Sequence, residues 1–236
     1  MPEIWWQNLP VRDYLLVHGA FGGGWVWDEV AERLTKAGNR VRVVEQLPSA
    51  GTDPGSLGDL SADANCVRRV LETVEAPVVL VGHSYGGMVI TELADHAKVH
   101  HSVYLTALWP QCGQSALNLI GDVLPISFIQ RDDGTLQITD DFDLAWAAFC
   151  ADVDREGAQT MLSRFVLQSM SSATAPSTAP DPTHPTTYMI ATEESEASVA
   201  AQEAWAANAE NVVRLRAAHM AQLSRPDELA EALGRI

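Results

Sequence analysis

The chain has 236 residues, of which 47% are hydrophobic and 19% charged; this is enough for one compact domain with a substantial core and excludes a disordered or fibrous protein. Its 31 acidic and 15 basic residues give a net charge of −16, and a surface of that charge repels nucleic-acid phosphates and anionic lipid. Three widely spaced cysteines, Cys66, Cys112 and Cys150, lack a CxxC motif, which argues against a disulfide framework and a structural zinc site.

The predicted elements alternate between strand and helix as far as residue 108. Short apolar runs predict strands at 14–17, 41–44, 77–81 and 103–108, and segments of helical periodicity follow the first three. The run at 77–81 is almost entirely apolar, as expected for a strand covered on both faces. Repeated strand–helix units of this length predict an α/β fold with a doubly wound, mostly parallel sheet.

The alternation stops at residue 109 and resumes after residue 185. The intervening segment has helical stretches at 143–150 and 155–170 and a Ser/Thr/Ala/Pro-rich stretch at 171–185, but no convincing buried strand. Strand patterns return at 187–191 and 212–215, each followed by a helical pattern. We therefore expect a core formed by residues 1–108 and 186–236, and a mainly helical cap formed by residues 109–185.

A candidate nucleophile lies where one of the most apolar strands meets a helix, in the segment Gly82-His83-Ser84-Tyr85-Gly86-Gly87. A serine on so sharp a strand-to-helix turn is held in a strained backbone conformation with its hydroxyl exposed. Gly82 and Gly86 would let the strand and the helix pass closely, because glycine has no side chain. The turn also directs the Tyr85 N–H toward an anion forming beside Ser84.

A serine hydroxyl needs a neighbouring base, and that base needs an acid to orient it. His219 lies in a loop between the last short strand and the terminal helix, which would deliver it to the carboxyl edge of the sheet, where Ser84 lies. In the chain order Ser, acid, His, the acid follows strand 187–191, where the candidates are Glu193, Glu194 and Glu196. Position alone leaves the choice among these three open.

The glycine-rich loop at 18–24 offers a second hydrogen-bond donor for the same anion, the backbone N–H of Ala20 or of Phe21. No GxGxxG motif fits this loop, so a dinucleotide site is not expected. We also expect no metal and no cofactor, because the grouped histidines His96, His100 and His101 lack a carboxylate or thiol at ligand spacing.

Three segments, LVHGAFGGGW at 16–25, VLVGHSYGGM at 79–88 and AHMAQL at 218–223, resemble the α/β-hydrolase superfamily. More narrowly, they resemble the small serine esterases related to plant methyl-salicylate and methyl-jasmonate esterases and to hydroxynitrile lyases. The resemblance covers nearly the whole chain and implies the α/β-hydrolase fold, with a mainly helical cap inserted after the sixth strand. It also implies that Ser84 is the nucleophile, that His219 is the base, and that the Ala20 and Tyr85 N–H groups form an oxyanion hole.

The chain departs from this family at two kinds of position. The family usually has Thr-Glu-Asp after the acid-bearing strand, whereas this chain has Thr192-Glu193-Glu194, so the resemblance implies Glu194 as the acid, with Glu193 in reserve. Hydroxynitrile lyases carry a threonine after the first loop histidine and a lysine after the catalytic histidine. Gly19 and Met220 occupy those positions here, which favours ester hydrolysis over cyanohydrin cleavage.

The sequence therefore predicts a serine hydrolase that cleaves a small, largely apolar carboxylic ester or lactone through an acyl-enzyme, with Phe21, Trp109 and Met220 as candidates for the apolar lining of the site. Two alternatives remain: a non-hydrolytic small-molecule binder, and a lyase, thioesterase or amidase on the same fold. No secretory leader or membrane span is visible, so we expect a cytoplasmic protein without nucleic-acid or membrane partners. A homodimer is compatible with the sequence.

Overall fold

The helices and strands come from a computed structural model that describes residues 11–75, 77–195 and 198–236. Within these residues the strands are β1 (Asp13–Val17), β2 (Arg40–Val43), β3 (Ala50–Gly51), β4 (Val78–His83), β5 (Val99–Leu105), β6 (Phe128–Gln130), β7 (Thr135–Ile138), β8 (Leu167–Ser169), β9 (Thr186–Ala191) and β10 (Asn211–Leu215). The α-helices are α1 (Asp28–Lys36), α2 (Leu60–Glu72), α3 (Gly86–Thr91), α4 (Ala116–Leu119), α5 (Phe142–Phe149), α6 (Arg155–Leu162), α7 (Met170–Thr174), α8 (Val199–Ala206), α9 (Ala221–Ser224) and α10 (Pro226–Gly234).

The central sheet has the strand order β10-β9-β5-β4-β1-β2, and every neighbouring pair is parallel. Alternate side chains of β1 enter two separate cores: Leu15 packs with residues of α2 and α3, whereas Leu16 packs with residues of α1 and α10. Burial of each such side chain contributes about 1.5–3 kcal/mol, so helices on both faces are stabilised. The predicted doubly wound parallel sheet is confirmed.

A crevice forms where the chain direction across the sheet reverses. After β1 the chain passes through α1 to β2 on one side, and after β4 it passes through α3 to β5 on the other side. The loops that leave the adjacent strands β1 and β4 therefore diverge at the carboxyl edge of the sheet. Parallel α/β sheets bind ligands at such a point. The two loops that meet here are those of Ala20 and Ser84.

The insertion at 109–185 contains strands as well as helices. Strands β6, β7 and β8 combine with β3 into an antiparallel sheet of order β3-β8-β7-β6, so the expectation of no sheet strand in this segment is wrong. Each of these strands has at most four residues, too few for alternation to distinguish them from loop. The insertion follows β5, which is the fourth strand of the described central sheet in chain order and not the sixth.

No helix in the described ranges is long and apolar enough to cross a membrane. Within the same ranges, no three His, Cys, Asp or Glu side chains lie close enough together to hold a metal ion.

Candidate active site

Ser84 lies on the sharp turn between β4 and α3. Its φ of 53° falls in the left-handed region that non-glycine residues rarely adopt. The turn is held by hydrogen bonds from the Ser84 N–H to the Leu105 carbonyl, at 3.2 Å, and from the Gly87 N–H to the Ser84 carbonyl, at 3.0 Å. A Cβ atom on Gly82 would lie 2.6 Å from the Gly86 carbonyl oxygen, so the turn requires glycine there. The strain therefore presents the serine hydroxyl at the carboxyl edge of the sheet.

His219 lies in the loop between β10 and α9, and it connects Ser84 with Glu194. Its Nε2 is 3.0 Å from Ser84 Oγ, and its Nδ1 is 2.5 Å from Glu194 Oε2. An ionised carboxylate only accepts hydrogen bonds, so Nδ1 carries the proton and Nε2 is left to accept the serine hydroxyl. The imidazole is thus in the tautomer that can act as a base toward Ser84.

Glu194 is buried, with no exposed side-chain surface, and each carboxylate oxygen has a further donor. The Thr106 hydroxyl donates to Oε2 at 3.0 Å, and the Ser195 N–H donates to Oε1 at 2.9 Å. Thr106 directly follows the last residue of β5 and has a φ of 38°. The sequence analysis missed this threonine, although a polar residue at the carboxyl end of a central strand is a usable signal.

The other two candidate acids are placed differently. Glu193 forms an exposed ion pair with Arg216, with the Arg216 Nε 2.7 Å from the carboxylate. Glu196 lies outside the described residues. Of the two glutamates that the structure describes, Glu194 is the one hydrogen-bonded to His219.

Among the described residues, the two candidate oxyanion donors have no competing partner. Ala20 and Tyr85 both line the cavity at Ser84, and neither backbone N–H donates to any other residue that the structure describes. The Phe21 N–H, the alternative to that of Ala20, instead donates to Gln168 Oε1 at 3.2 Å. Free N–H groups beside a nucleophile can stabilise a developing oxyanion, so the geometry favours Ala20 over Phe21.

The cavity above Ser84 is largely apolar. Phe21 and Met220 line it, together with three other phenylalanines, Phe128, Phe149 and Phe165. Among the described residues, none that carries a carboxylate, an ammonium or a guanidinium lines this cavity. Trp109, which was predicted to line it, stacks on Tyr104 in the core with ring centroids 4.2 Å apart, so that prediction is wrong.

His83 lies beneath His219 and holds its loop. The His83 Nε2–H donates to the His219 carbonyl at 2.9 Å, while its Nδ1 accepts from the Gln222 amide at 3.2 Å. Burial, followed by the neighbouring His219, holds the pKa of His83 well below the ordinary value. His83 is therefore neutral, and it fixes the position of His219 without adding a charge. The contribution of Gln222 was not predicted.

Burial also depresses the pKa of His18, to about 4. Its Nδ1–H donates to the Gly19 carbonyl at 2.8 Å, and its Nε2 accepts the Leu47 N–H at 3.0 Å.

The depressed pKa of His18 makes the stability of the fold depend on pH. Between pH 6.5 and 4 the imidazole of His18 is protonated in the unfolded chain and neutral in the folded chain, so stability falls as the pH falls. We expect His18 to account for about 3 kcal/mol of that loss. Urea denaturation at several pH values, for the wild type and His18→Gln, should show a shallower pH dependence in the variant; equal slopes would contradict the assignment.

Comparison with known proteins adds family membership to this geometry. A sequence profile of the Alpha/beta hydrolase family matches residues 14–232. The carbendazim hydrolyzing esterase of Nocardioides sp. (strain SG-4G) is 42% identical over 125 residues, which cover 49% of this chain and 50% of that protein. Methylesterase 8 of Arabidopsis thaliana is 32% identical over 116 residues, which cover 46% of this chain and 42% of that protein.

Among solved structures, a pyrethroid hydrolase from Sphingobium faniae JZ-2 is similar with a TM-score of 0.81 and 26% identity, covering 96% of this chain and 97% of that chain. The two curated relatives are matched over half of their length or less. These similarities agree with the resemblance predicted from the three sequence segments, and the family match spans both sides of the insertion. The chain belongs to the alpha/beta hydrolase family.

Proposed function

We propose that this protein is a serine hydrolase that cleaves a small, largely apolar carboxylic ester or lactone. The observation that carries the proposal is the continuous hydrogen-bonded line from Ser84 through His219 to Glu194, at the base of an apolar cavity. A serine, a base in the correct tautomer and a buried acid are the groups that nucleophilic acyl transfer requires.

The reaction follows from the donors and acceptors at the site. Ser84 Oγ attacks the substrate carbonyl carbon while its proton passes to His219 Nε2. The Ala20 and Tyr85 N–H groups stabilise the oxyanion, and Glu194 stabilises the imidazolium. The tetrahedral intermediate collapses as His219 returns the proton to the leaving alkoxide, which departs as an alcohol and leaves an acyl-serine. Water, deprotonated by His219, then attacks the acyl-serine and releases the carboxylic acid and free Ser84.

The cavity lining restricts the substrate class. A substrate with a fixed charge would lose its hydration on entering the cavity, and none of the described lining residues offers an opposite charge in return. This desolvation would cost several kcal/mol. A neutral, apolar ester or lactone avoids this cost. The three relatives compared above are named as an esterase, a methylesterase and a pyrethroid hydrolase, which supports hydrolysis as the reaction class.

The lyase alternative requires groups that are absent from two positions. A Cβ atom on Gly19 would lie 2.8 Å from the Ser84 Cβ, so a threonine there would displace the nucleophile. Met220 lines the cavity but carries no ammonium that could stabilise a cyanide leaving group. Both positions support hydrolysis over cyanohydrin cleavage.

The proposal is tested by the hydrolysis of p-nitrophenyl esters from acetate to octanoate, with γ- and δ-lactones alongside. We expect a burst of p-nitrophenol equal to the enzyme concentration, because an acyl-serine accumulates, and mass spectrometry of the quenched enzyme should find the acyl group on Ser84. The chain length with the highest kcat/KM reports the size of the cavity. Tight binding of apolar esters without turnover would instead establish the non-hydrolytic binder.

A further inference from the structure

The loop that carries Ala20 is held by the insertion. Phe21, the next residue, has a φ of 61°, in the left-handed region that disfavours non-glycine residues. Its N–H donates to Gln168 Oε1 at 3.2 Å, and its carbonyl accepts the Val166 N–H at 2.9 Å. Both backbone groups of this strained residue are therefore fixed by the strand β8 segment. A conformation of this kind persists only where its surroundings enforce it.

Gln168 lines the cavity, but its hydrogen-bonding groups are already engaged. The side-chain amide nitrogen donates to Ser49 Oγ and to Ser172 Oγ, each at 2.7 Å. An amide nitrogen has two hydrogens, so both are used, while Oε1 accepts the Phe21 N–H. Gln168 is also only 2% exposed. It therefore has no donor left for a substrate, and its position calls for a structural explanation.

The hydrogen bonds continue from Gln168 to the other side of the oxyanion hole. The Ser49 N–H donates to Asp63 Oδ1 at 2.8 Å, and the Tyr85 hydroxyl donates to Asp63 Oδ2 at 2.7 Å. Ser49 and Asp63 have no exposed surface, and Tyr85 is 4% exposed. A buried line, Gln168–Ser49–Asp63–Tyr85, thus joins the neighbour of one oxyanion donor to the residue that supplies the other.

We propose that Gln168 is a positioning residue of the oxyanion hole: through the Phe21 N–H and the line Gln168–Ser49–Asp63–Tyr85 it sets the relative placement of the Ala20 and Tyr85 N–H groups. The inference rests on the proposed ester hydrolysis. It also gives the insertion a role in the chemistry, since the insertion supplies the residue that aligns donors belonging to the core. Donors that are aligned before the reaction need no reorganisation when the oxyanion forms.

The state of Asp63 supports this arrangement. Burial raises the pKa of Asp63 to about 6, while the hydrogen bonds from Ser49 and Tyr85 act to lower it. Above that pH the side chain is a carboxylate, which can only accept, so both donors are directed toward it. A buried carboxylate has few alternative hydrogen-bonding arrangements, and it therefore fixes the Tyr85 side chain on the nucleophile turn.

The test compares Gln168→Leu with Glu92→Leu. Glu92 also ties the insertion to the core, since it accepts from the Ser177 hydroxyl at 2.6 Å and the Thr178 hydroxyl at 2.8 Å, but it lies outside the line defined above. We expect Gln168→Leu to lower kcat about 10- to 100-fold with KM nearly unchanged, because the lost alignment matters only in the transition state. Affinity for a trifluoromethyl ketone, which forms an oxyanion on Ser84, should fall by the same factor. Glu92→Leu should change neither quantity.

Two further variants keep the proposal open to refutation if Gln168→Leu does not fold. Gln168→Glu retains an oxygen for the Phe21 N–H, and burial near Asp63 favours its protonated form, whose O–H can donate to Ser49 Oγ or Ser172 Oγ, so it should recover most of kcat. Tyr85→Phe removes only the hydroxyl that reaches Asp63 and should also lower kcat without raising KM.

The outcomes separate the two proposals. A wild type that hydrolyses esters, with folded Gln168→Leu or Tyr85→Phe retaining full kcat and ketone affinity, overturns the role of Gln168 alone. A fall in kcat with an equal rise in KM also overturns it, because that pattern reports lost substrate binding. A wild type that hydrolyses no ester and forms no ketone adduct overturns the proposed function, and the role of Gln168 with it.

Discussion

Replacement of Ser84 by alanine should lower kcat for p-nitrophenyl butyrate by about 10⁴- to 10⁶-fold, to the level that the oxyanion hole and substrate binding supply on their own. In the proposed mechanism the hydroxyl 3.0 Å from His219 Nε2 is the attacking group, and alanine leaves nothing in its place. Alanine adopts a φ of 53° no more easily than serine, so the turn should keep its strain and the fold its stability. Initial rates and circular dichroism of the two proteins measure both effects.

Two companion variants complete this test: His219→Ala, and the double variant that combines Ser84→Ala with His219→Ala. Because the two residues act as one unit, each single change should remove nearly all of the acceleration, and the double variant should be no slower than the worse single variant. Losses that multiply in the double variant would mean that the two side chains act independently. Turnover that survives Ser84→Ala would place the reaction elsewhere and contradict the proposed mechanism.

The elements that position the proposed nucleophile are readable from the sequence because burial dictates them locally. β4 is covered on both faces, so all of its residues are buried and its apolar run is unambiguous. Ser84 follows in a turn whose glycines are demanded by close contacts within the same few residues. The position of His219 is predictable because it lies in the loop that follows the last short strand, at the carboxyl edge of the sheet. These features depend on short stretches of chain, and short stretches carry their own signals.

The features that were missed depend on contacts between distant segments. Strands β6, β7 and β8 are recognisable only through their pairing, and one of their partners, β3, precedes the insertion by more than fifty residues. Gln168 likewise acquires its role from Phe21 and Ser49, which lie 147 and 119 residues away along the chain. Trp109 is a large aromatic side chain of the kind that often lines apolar pockets, but here it stacks on Tyr104 in the core. Long-range packing decides such positions, and one sequence does not display it.

The choice among Glu193, Glu194 and Glu196 is intermediate between these two kinds of feature, and it yields the second large effect. Glu194→Gln should lower kcat by about 10³- to 10⁴-fold. The Ser195 N–H, which donates to Oε1 at 2.9 Å, requires an oxygen, so the new amide turns its NH₂ group toward His219 Nδ1. A donor at that position forces the imidazole proton onto Nε2. A protonated Nε2 can no longer accept the proton of Ser84. The loss should therefore appear in kcat and kcat/KM together, with KM nearly constant.

Two neighbouring variants make this test specific. Glu194→Asp keeps a carboxylate but is one methylene shorter, and the Thr106 hydroxyl can still donate to it, so we expect it to recover kcat to within about tenfold of the wild type. Glu193→Gln changes the same functional group one residue away, in an exposed pair with Arg216, and should leave kcat unchanged. Steady-state kinetics of the three variants on one ester measure these effects. If Glu193→Gln were the damaging change and Glu194→Gln the silent one, the acid would be Glu193, and the buried carboxylate beneath His219 would serve only the fold.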